Sequence, residues 1–318
     1  MSDGIDREVL WLVGGVLGVL VVASVAAAIL TRRVTSESGR AVVANLSARI
    51  RAWWVMCAVF AVALLTGGAG SVVLFALTSF FALREFITLV PTRHGDHRTL
   101  LWVFFLVTPI QYWLVWRDWY GMLTIFIPVY AFLLVPTRNA LAGDTERFLE
   151  RTATVQWALM ICVYCISYAP ALLTLEVEGY KTQGENAKLL LILVIVVQGS
   201  DVLQYICGKL FGRHRIAPSV SPNKTWEGFI GGIALATLIG TGLWWATPFA
   251  PWQAALMALA ISLMGFAGGL TMSAIKRDRG VKDFGTLIAG HGGVLDRIDS
   301  LCFAAPVFFH LTRYFFGG

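Results

Sequence analysis

Charge is what this sequence has least of. Of its 318 residues only 14% are charged and 57% are apolar, where a soluble domain carries about 25% and about 45–50%. Mean hydropathy is +0.72. This deficit excludes a chain with water on every side and favours a surface that faces lipid. Cysteine is also scarce. Cys57, Cys162, Cys165, Cys207 and Cys302 lie mostly inside apolar runs. Cys162 and Cys165 form a CxxC with no second pair or His cluster, which argues against a zinc site and leaves small apolar helix residues. Internal repeats, low-complexity stretches and any segment polar enough for a soluble domain are absent. The formal charge of +6 is not gathered into a tail or patch. The bases sit in short stretches between apolar runs, so topology explains them better than nucleic-acid binding does, and no nucleic-acid partner is expected.

What the sequence has in abundance is apolar runs: near 9–30, 53–67, 70–83, 100–116, 119–136, 154–175, 188–200, 228–247, 252–272 and 300–316. A bilayer-crossing helix needs about 20 such residues. The expected fold is therefore all-α, a polytopic integral membrane protein of nine to ten transmembrane helices. With ten spans, one set of loops (31–52, 84–99, 137–153, 201–227 and 273–299) holds 20 of the 25 Lys and Arg residues, and the other side holds 5. The positive-inside rule places the 20-rich side in the cytoplasm and both termini outside. Arg32 and Arg33 follow the first run rather than precede it, which argues against a cleaved signal peptide. Trp11, Trp53, Trp54, Trp102, Trp113, Trp116, Trp119, Trp157, Trp244, Trp245 and Trp252 cluster at run ends, as an aromatic belt would. The chain divides into N-terminal transmembrane helices (1–185) and a C-terminal transmembrane catalytic region (186–318).

The stretch 273–299 reads SAIKRDRGVKDFGTLIAGHGGVLDRID. A positive-inside loop accounts for Lys276, Arg277, Arg279 and Lys282. It does not account for Asp278, Asp283, Asp296 and Asp299, nor for Gly290-His291-Gly292-Gly293 directly ahead of Asp296-Arg297. Glycines let backbone N–H groups approach an anion, and carboxylates with phosphate oxygens and water make the usual magnesium shell. Asp296 and Asp299 are three apart, so in a helix starting near Val294 they share one face and can approach one ion. Cations beside carboxylates describe a site for a metal-bound polyphosphate. On this reading Asp296→Asn abolishes turnover and leaves folding intact.

The stretch 201–227 begins at Asp201, continues through Lys209, Arg213, His214 and Arg215, and ends Ser221-Pro222-Asn223-Lys224-Thr225-Trp226-Glu227. Ser at an N-cap followed by Pro at the first helical position predicts a helix start at Ser221. Such an end attracts phosphate, with Lys224 adding a point charge. Gly228 and Gly232 predict close helix packing rather than ligand contact.

With these residues, Ser273, Lys276-Arg277, Lys282-Asp283, Gly290-His291-Gly292-Gly293, Asp296-Arg297 and Asp299, together with the Ser-Pro-x-Lys-Thr-Trp-Glu-Gly run from Ser221, the sequence closely resembles the phosphatidate cytidylyltransferases (CDP-diacylglycerol synthases). The resemblance covers residues 198–300. It implies an integral membrane enzyme of phospholipid biosynthesis, with its site facing the cytoplasm of a bacterial inner (plasma) membrane. Such an enzyme converts CTP and phosphatidic acid into CDP-diacylglycerol and pyrophosphate with Mg²⁺, and a homodimer is expected. The expected catalytic set is Lys276, Arg277, Lys282, Asp283, His291 and Arg297. Asp201, Ser221, Lys224, Thr225, Ser273, Gly292 and Gly293 are expected to bind substrate, and Asp296 and Asp299 to bind metal. The sequence departs from many bacterial members at Gly268-Gly269-Leu270 and Met272, where those members carry two further carboxylates. One ion or two is therefore open. Two alternatives stand beside this reading: a CTP-dependent transferase acting on another lipid phosphate or alcohol, and, from a different class, a transporter. Against the transporter, the acids and bases gather in loops rather than mid-span.

Overall fold

The computed structural model describes residues 7–34, 36–178, 180, 183–288 and 292–317. His291 and Gly290 of the expected site lie outside the described residues. The chain is built from long helices: α1 (Arg7–Arg33), α2 (Glu37–Leu65), α3 (Gly67–Thr88), α4 (His94–Trp116), α5 (Tyr120–Ala140), α6 (Phe148–Ala171), α7 (Ala187–Phe211), α8 (Trp226–Gly242), α9 (Pro251–Asp278) and α10 (Leu295–Phe316). Between α7 and α8 runs a short antiparallel hairpin of β1 (Arg215–Ala217) and β2 (Ser221–Thr225). Among the described residues, eight helices, α1 to α7 and α9, are long and apolar enough to cross a membrane. This makes the chain an integral membrane protein of mainly helical, polytopic build. Helices suit such a chain because every backbone N–H and C=O is satisfied within the segment.

The helices reach further than the apolar runs. The second run extends back to Glu37, so Arg40, Arg49 and Arg51 ride on α2 rather than on a loop. Likewise α7 continues to Phe211 and α9 to Asp278. Asp201, Ser273, Lys276 and Arg277 are therefore helical residues, aimed by helix geometry instead of by loop conformation.

One local prediction is corrected. Ser221 and Pro222 do not start a helix; they lie in β2, paired so that Ala217 faces Ser221 and Arg215 faces Thr225. A strand at the edge of a two-stranded sheet tolerates Pro because its missing N–H need not pair. The N-cap of α8 is Thr225, whose hydroxyl accepts from the Gly228 N–H at 3.2 Å. Glu227 in the first turn accepts from the Arg213 and His214 amides at 3.0 and 3.2 Å and meets His214 Nδ1 at 2.6 Å. The hairpin is thus tied to the start of α8.

The expected glycine packing is present. A Cβ on Gly232 would lie 2.5 Å from the Gln204 backbone nitrogen, and one on Gly228 would lie 2.9 Å from the Gly208 Cα. Helices α7 and α8 therefore cross almost backbone to backbone, which only small residues permit. Side chains from both sides of residue 185, among them Leu83, Leu114, Tyr168, Leu190 and Phe308, share one apolar core. Two connections on the face that carries the site are locked by charge: buried Arg151 donates to Asp144 at 3.0 Å and lies 3.5 Å from Asp96.

Candidate active site

The site forms where four pieces converge: the second half of α7, strand β2, the last turns of α9 and the first turns of α10. Glycines on α9 set the depth. A Cβ on Gly268 would lie 2.6 Å from the Asp299 carbonyl oxygen, so α10 presses directly on α9 at this level. That contact brings Asp299 and Ser300 opposite Asp201. Ser300 Oγ donates to Asp201 Oδ2 at 2.7 Å, and the Ser300 amide donates to Asp299 Oδ1 at 2.8 Å. Two half-buried carboxylates from different helices are thus joined through one serine. Neither makes a salt bridge within 4.0 Å among the described residues.

Cations surround the pair. Lys224 of β2 projects its ammonium over the Phe266 ring at 4.5 Å and lies 3.1 Å from where a Gly269 Cβ would sit. Burial holds the Lys224 pKa below the usual lysine value, opposed by the charges of Asp201 and Asp299, with Lys276 adding a smaller lowering. Arg297, whose carbonyl accepts from Gln198 Nε2 at 3.1 Å, has a buried Nε with no partner among the described residues. A buried guanidinium nitrogen without a partner wants an acceptor.

Asp296 stands apart from this pair. Its Oδ1 accepts from Lys276 Nζ at 2.9 Å, and its Oδ2 accepts from the Phe284 and Gly293 amides at 2.8 and 2.9 Å. Both partners are buried, and Lys276 also lies 5.2 Å from the Phe284 ring centroid. The two aspartates expected on one ion therefore face different partners: Asp296 anchors Lys276 and folds the preceding loop, while Asp299 meets Asp201.

Glu85 of α3 completes this arrangement. Its Oε1 and Oε2 accept from the Val294 and Leu295 amides, both at 2.9 Å, where the first amides of α10 have no partner within the helix. A Cβ on Gly293 would meet Glu85 Oε2 at 2.3 Å. The start of α10 is thus closed by two carboxylates rather than left open to an anion. Sequence reasoning did not single out Glu85, because the third apolar run ends at 83 and Glu85 read as a loop residue; the helix in fact continues to Thr88, and an acid on such a helix needs a partner. Ser300 was missed too, because nothing in the one-dimensional pattern separates it from an ordinary helix serine.

The other expected residues fall as follows. Ser273 Oγ donates to the Gly269 carbonyl at 2.6 Å within α9. Arg277 donates to the Val220 and Val281 carbonyls at 3.3 and 3.0 Å, tying the hairpin turn to the end of α9. Lys282 and Asp283 are exposed. Gly292 has φ +82°, a left-handed conformation that favours glycine, and its carbonyl accepts from Ile288 N at 2.8 Å. Ser221 and Thr225 belong to the hairpin and its junction with α8.

Asp201 and Asp299 fit a magnesium ion. Mg²⁺ keeps several waters and binds through one or two carboxylates plus substrate phosphates. Among the described residues no group of three or more His, Cys, Asp or Glu side chains is gathered into a ready metal site, and such an ion does not require one.

Residues 47–315 match the Cytidylyltransferase family. The chain belongs to that family. It is 40% identical over 273 residues to the Escherichia coli (strain K12) protein named "Uncharacterized protein YnbB", covering 85% of this chain and 88% of that protein. It is 33% identical over 248 residues to the phosphatidate cytidylyltransferase of Bacillus subtilis (strain 168), covering 77% of this chain and 86% of that protein. With the phosphatidate cytidylyltransferase of Mycobacterium leprae (strain TN) it shares 38% identity over 175 residues, 54% of this chain and 53% of that protein. The matched region of this cytidylyltransferase includes α3, so Glu85 lies inside it, and stops short of α1.

Proposed function

We propose that this cytidylyltransferase condenses CTP with phosphatidic acid to give CDP-diacylglycerol and pyrophosphate. The observation that carries the reading is the junction of Asp201 in the second half of α7 with Ser300 and Asp299 in the first turns of α10, faced by Lys224 and Arg297, in a membrane-embedded chain. Carboxylates and cations side by side suit a metal-bound triphosphate, and a site at the membrane face suits a lipid second substrate. An oxygen of the lipid phosphate forms the new bond to the α-phosphorus. The bond from that phosphorus to the bridging oxygen breaks, and pyrophosphate leaves with the electron pair. No enzyme nucleophile is needed, because the attacking group is already anionic, and catalysis consists of positioning and charge neutralisation. Asp201 and Asp299 would hold Mg²⁺, which would supply charge neutralisation of the phosphates. Lys224 and Arg297 take phosphate oxygens. Asp296 holds Lys276 in place at 2.9 Å, while Arg277, Lys282, Asp283 and His291 serve the nucleotide. Purified protein given phosphatidic acid and each of the four ribonucleoside triphosphates should form product with CTP only. Turnover of an isoprenoid phosphate in preference to phosphatidic acid would overturn the lipid assignment.

In this reading α8 and α10 join the eight apolar helices to make ten crossings. The site faces the cytoplasm of the plasma membrane, both termini lie outside, and the enzyme works as a homodimer. Single cysteines at Ser219 and Thr286 should label from the cytoplasmic side alone. Labelling of either from outside would move the site away from cytosolic CTP.

Gly269 offers a graded test. A Cβ there would lie 3.1 Å from Lys224 Nζ and 3.4 Å from Ser300 Oγ, so the flexible lysine end must shift a little to admit it. An aspartate there would point its carboxylate at both, beside the proposed ion. Gly269→Asp should shift the Mg²⁺ dependence of turnover to lower concentration, with little gain in maximal rate because the added charge also repels triphosphate. An unchanged Mg²⁺ curve in a well-folded variant would place the ion elsewhere.

A further inference from the structure

The far end of α10 carries a second polar constellation, remote from the reacting groups. A cavity of about 580 Å³ opens there, lined by Tyr120, His310, Leu311, Arg313 and Tyr314. Arg313 stacks its guanidinium over the Tyr120 ring at 3.7 Å, and the Tyr120 hydroxyl meets His310 Nδ1 at 3.4 Å. His310 in turn packs on Tyr168, ring centroids 4.8 Å apart. Arg313 makes no salt bridge within 4.0 Å among the described residues. The acids at this end include Asp118, which accepts from Thr174 at 3.0 Å and lies in the field of Arg313, exposed Glu176 and Glu178, and Glu8 and Glu185 at Lys188. A guanidinium held flat on an aromatic ring keeps its edge donors free for a planar or tetrahedral oxyanion.

Position identifies the anion's source. Arg313 is fourteen residues beyond Asp299 on one helix, about 21 Å at about 1.5 Å per residue, most of the thickness of a bilayer core. Trp116, Trp119, Tyr314 and Phe315 are exposed at the same level, 52–81%, which is the composition of a membrane–water interface. A phospholipid phosphate already lies at that level, whereas a soluble anion would have to be drawn from the aqueous phase. We propose that Arg313, Tyr120 and His310 form a binding site for the phosphate of an anionic phospholipid in the leaflet opposite the catalytic one. The inference rests on the ten-crossing reading above.

The test uses the full-length protein in mild detergent, titrated with phosphatidylglycerol or phosphatidylcholine and followed by native mass spectrometry. The wild type should retain one phosphatidylglycerol that Arg313→Gln loses, with affinity about tenfold weaker in the variant, as loss of one charge-assisted contact implies. His310→Gln, which leaves the guanidinium in place, should weaken it about threefold. Neither residue touches the catalytic cluster, so unchanged cytidylyl transfer certifies the fold. Equal retention by wild type and both variants overturns the site, and so does equal competition by millimolar inorganic phosphate, which would assign a free anion. Cysteine labelling at Tyr314 and Ser219 separates the two readings. Labelling from the same side defeats the membrane topology, whereas opposite sides with no dependence on Arg313 defeats the lipid site alone.

Discussion

Asp299→Asn should lower turnover about 10³-fold while leaving the detergent melting temperature unchanged. The amide keeps an oxygen for the Ser300 N–H that now donates to Asp299 Oδ1 at 2.8 Å. Removing one of two neighbouring like charges also relieves repulsion with Asp201, so the fold has nothing to lose. Catalysis loses one of two proposed anionic ligands and with it the field that draws metal and triphosphate to one place, an effect of about 10²–10³ for a single preorganised group and more where an ion depends on it. Asp201→Asn should behave alike. The paired measurements are CTP-dependent product formation across a Mg²⁺ titration and thermal unfolding of the same samples. Near-normal turnover in a folded Asp299→Asn protein would remove the metal assignment, and a collapsed melting temperature would recast Asp299 as a structural acid.

Asp296→Asn should behave differently, losing both activity and stability. Its carboxylate neutralises buried Lys276 at 2.9 Å and accepts the Phe284 and Gly293 amides. An asparagine can present its oxygen to the amides or to the ammonium, and in either case its NH₂ group faces a donor. A buried ammonium left without its partner costs about 3–5 kcal/mol. The sequence alone predicts an intact fold for this variant; the geometry predicts a markedly lowered melting temperature. Adding Lys276→Met to Asp296→Asn should restore much of the stability, because no buried charge remains, without restoring turnover. Wild-type melting behaviour in the single variant would mean that the pair is not buried in the membrane-embedded protein.

The contrast between two aspartates three residues apart shows where sequence reasoning stops. Spacing places Asp296 and Asp299 on one helix face, and α10 does begin at Leu295. Spacing cannot say what stands opposite each. The close approach at Gly268 turns Asp299 toward Asp201, whereas Lys276 and the Phe284 and Gly293 amides claim Asp296. The helix start predicted at Ser221 failed for a similar reason. Ser-Pro is a local capping signal, but pairing of 221–225 with 215–217 offered those backbone groups better partners, and the cap moved to Thr225.

Composition determined the class of the protein. With so little charge, the chain can satisfy its backbone only inside apolar helices, and the distribution of Lys and Arg between the loops gives their alternation a direction. The acid-, base- and glycine-rich stretches after Asp201 and Ser273 determined the family and supplied the residues from which the proposed site is drawn. Which of them meet was decided in three dimensions. Glycines at which an added Cβ would lie only 2.5–2.9 Å from the neighbouring backbone let α7, α8, α9 and α10 approach closely, and that approach selects Asp201 as the partner of Asp299. Glu85, more than two hundred residues from the amides it caps, is held there by packing of α3 against α10. Periodicity and spacing report neighbours along the chain, while desolvated charges are satisfied by neighbours in space.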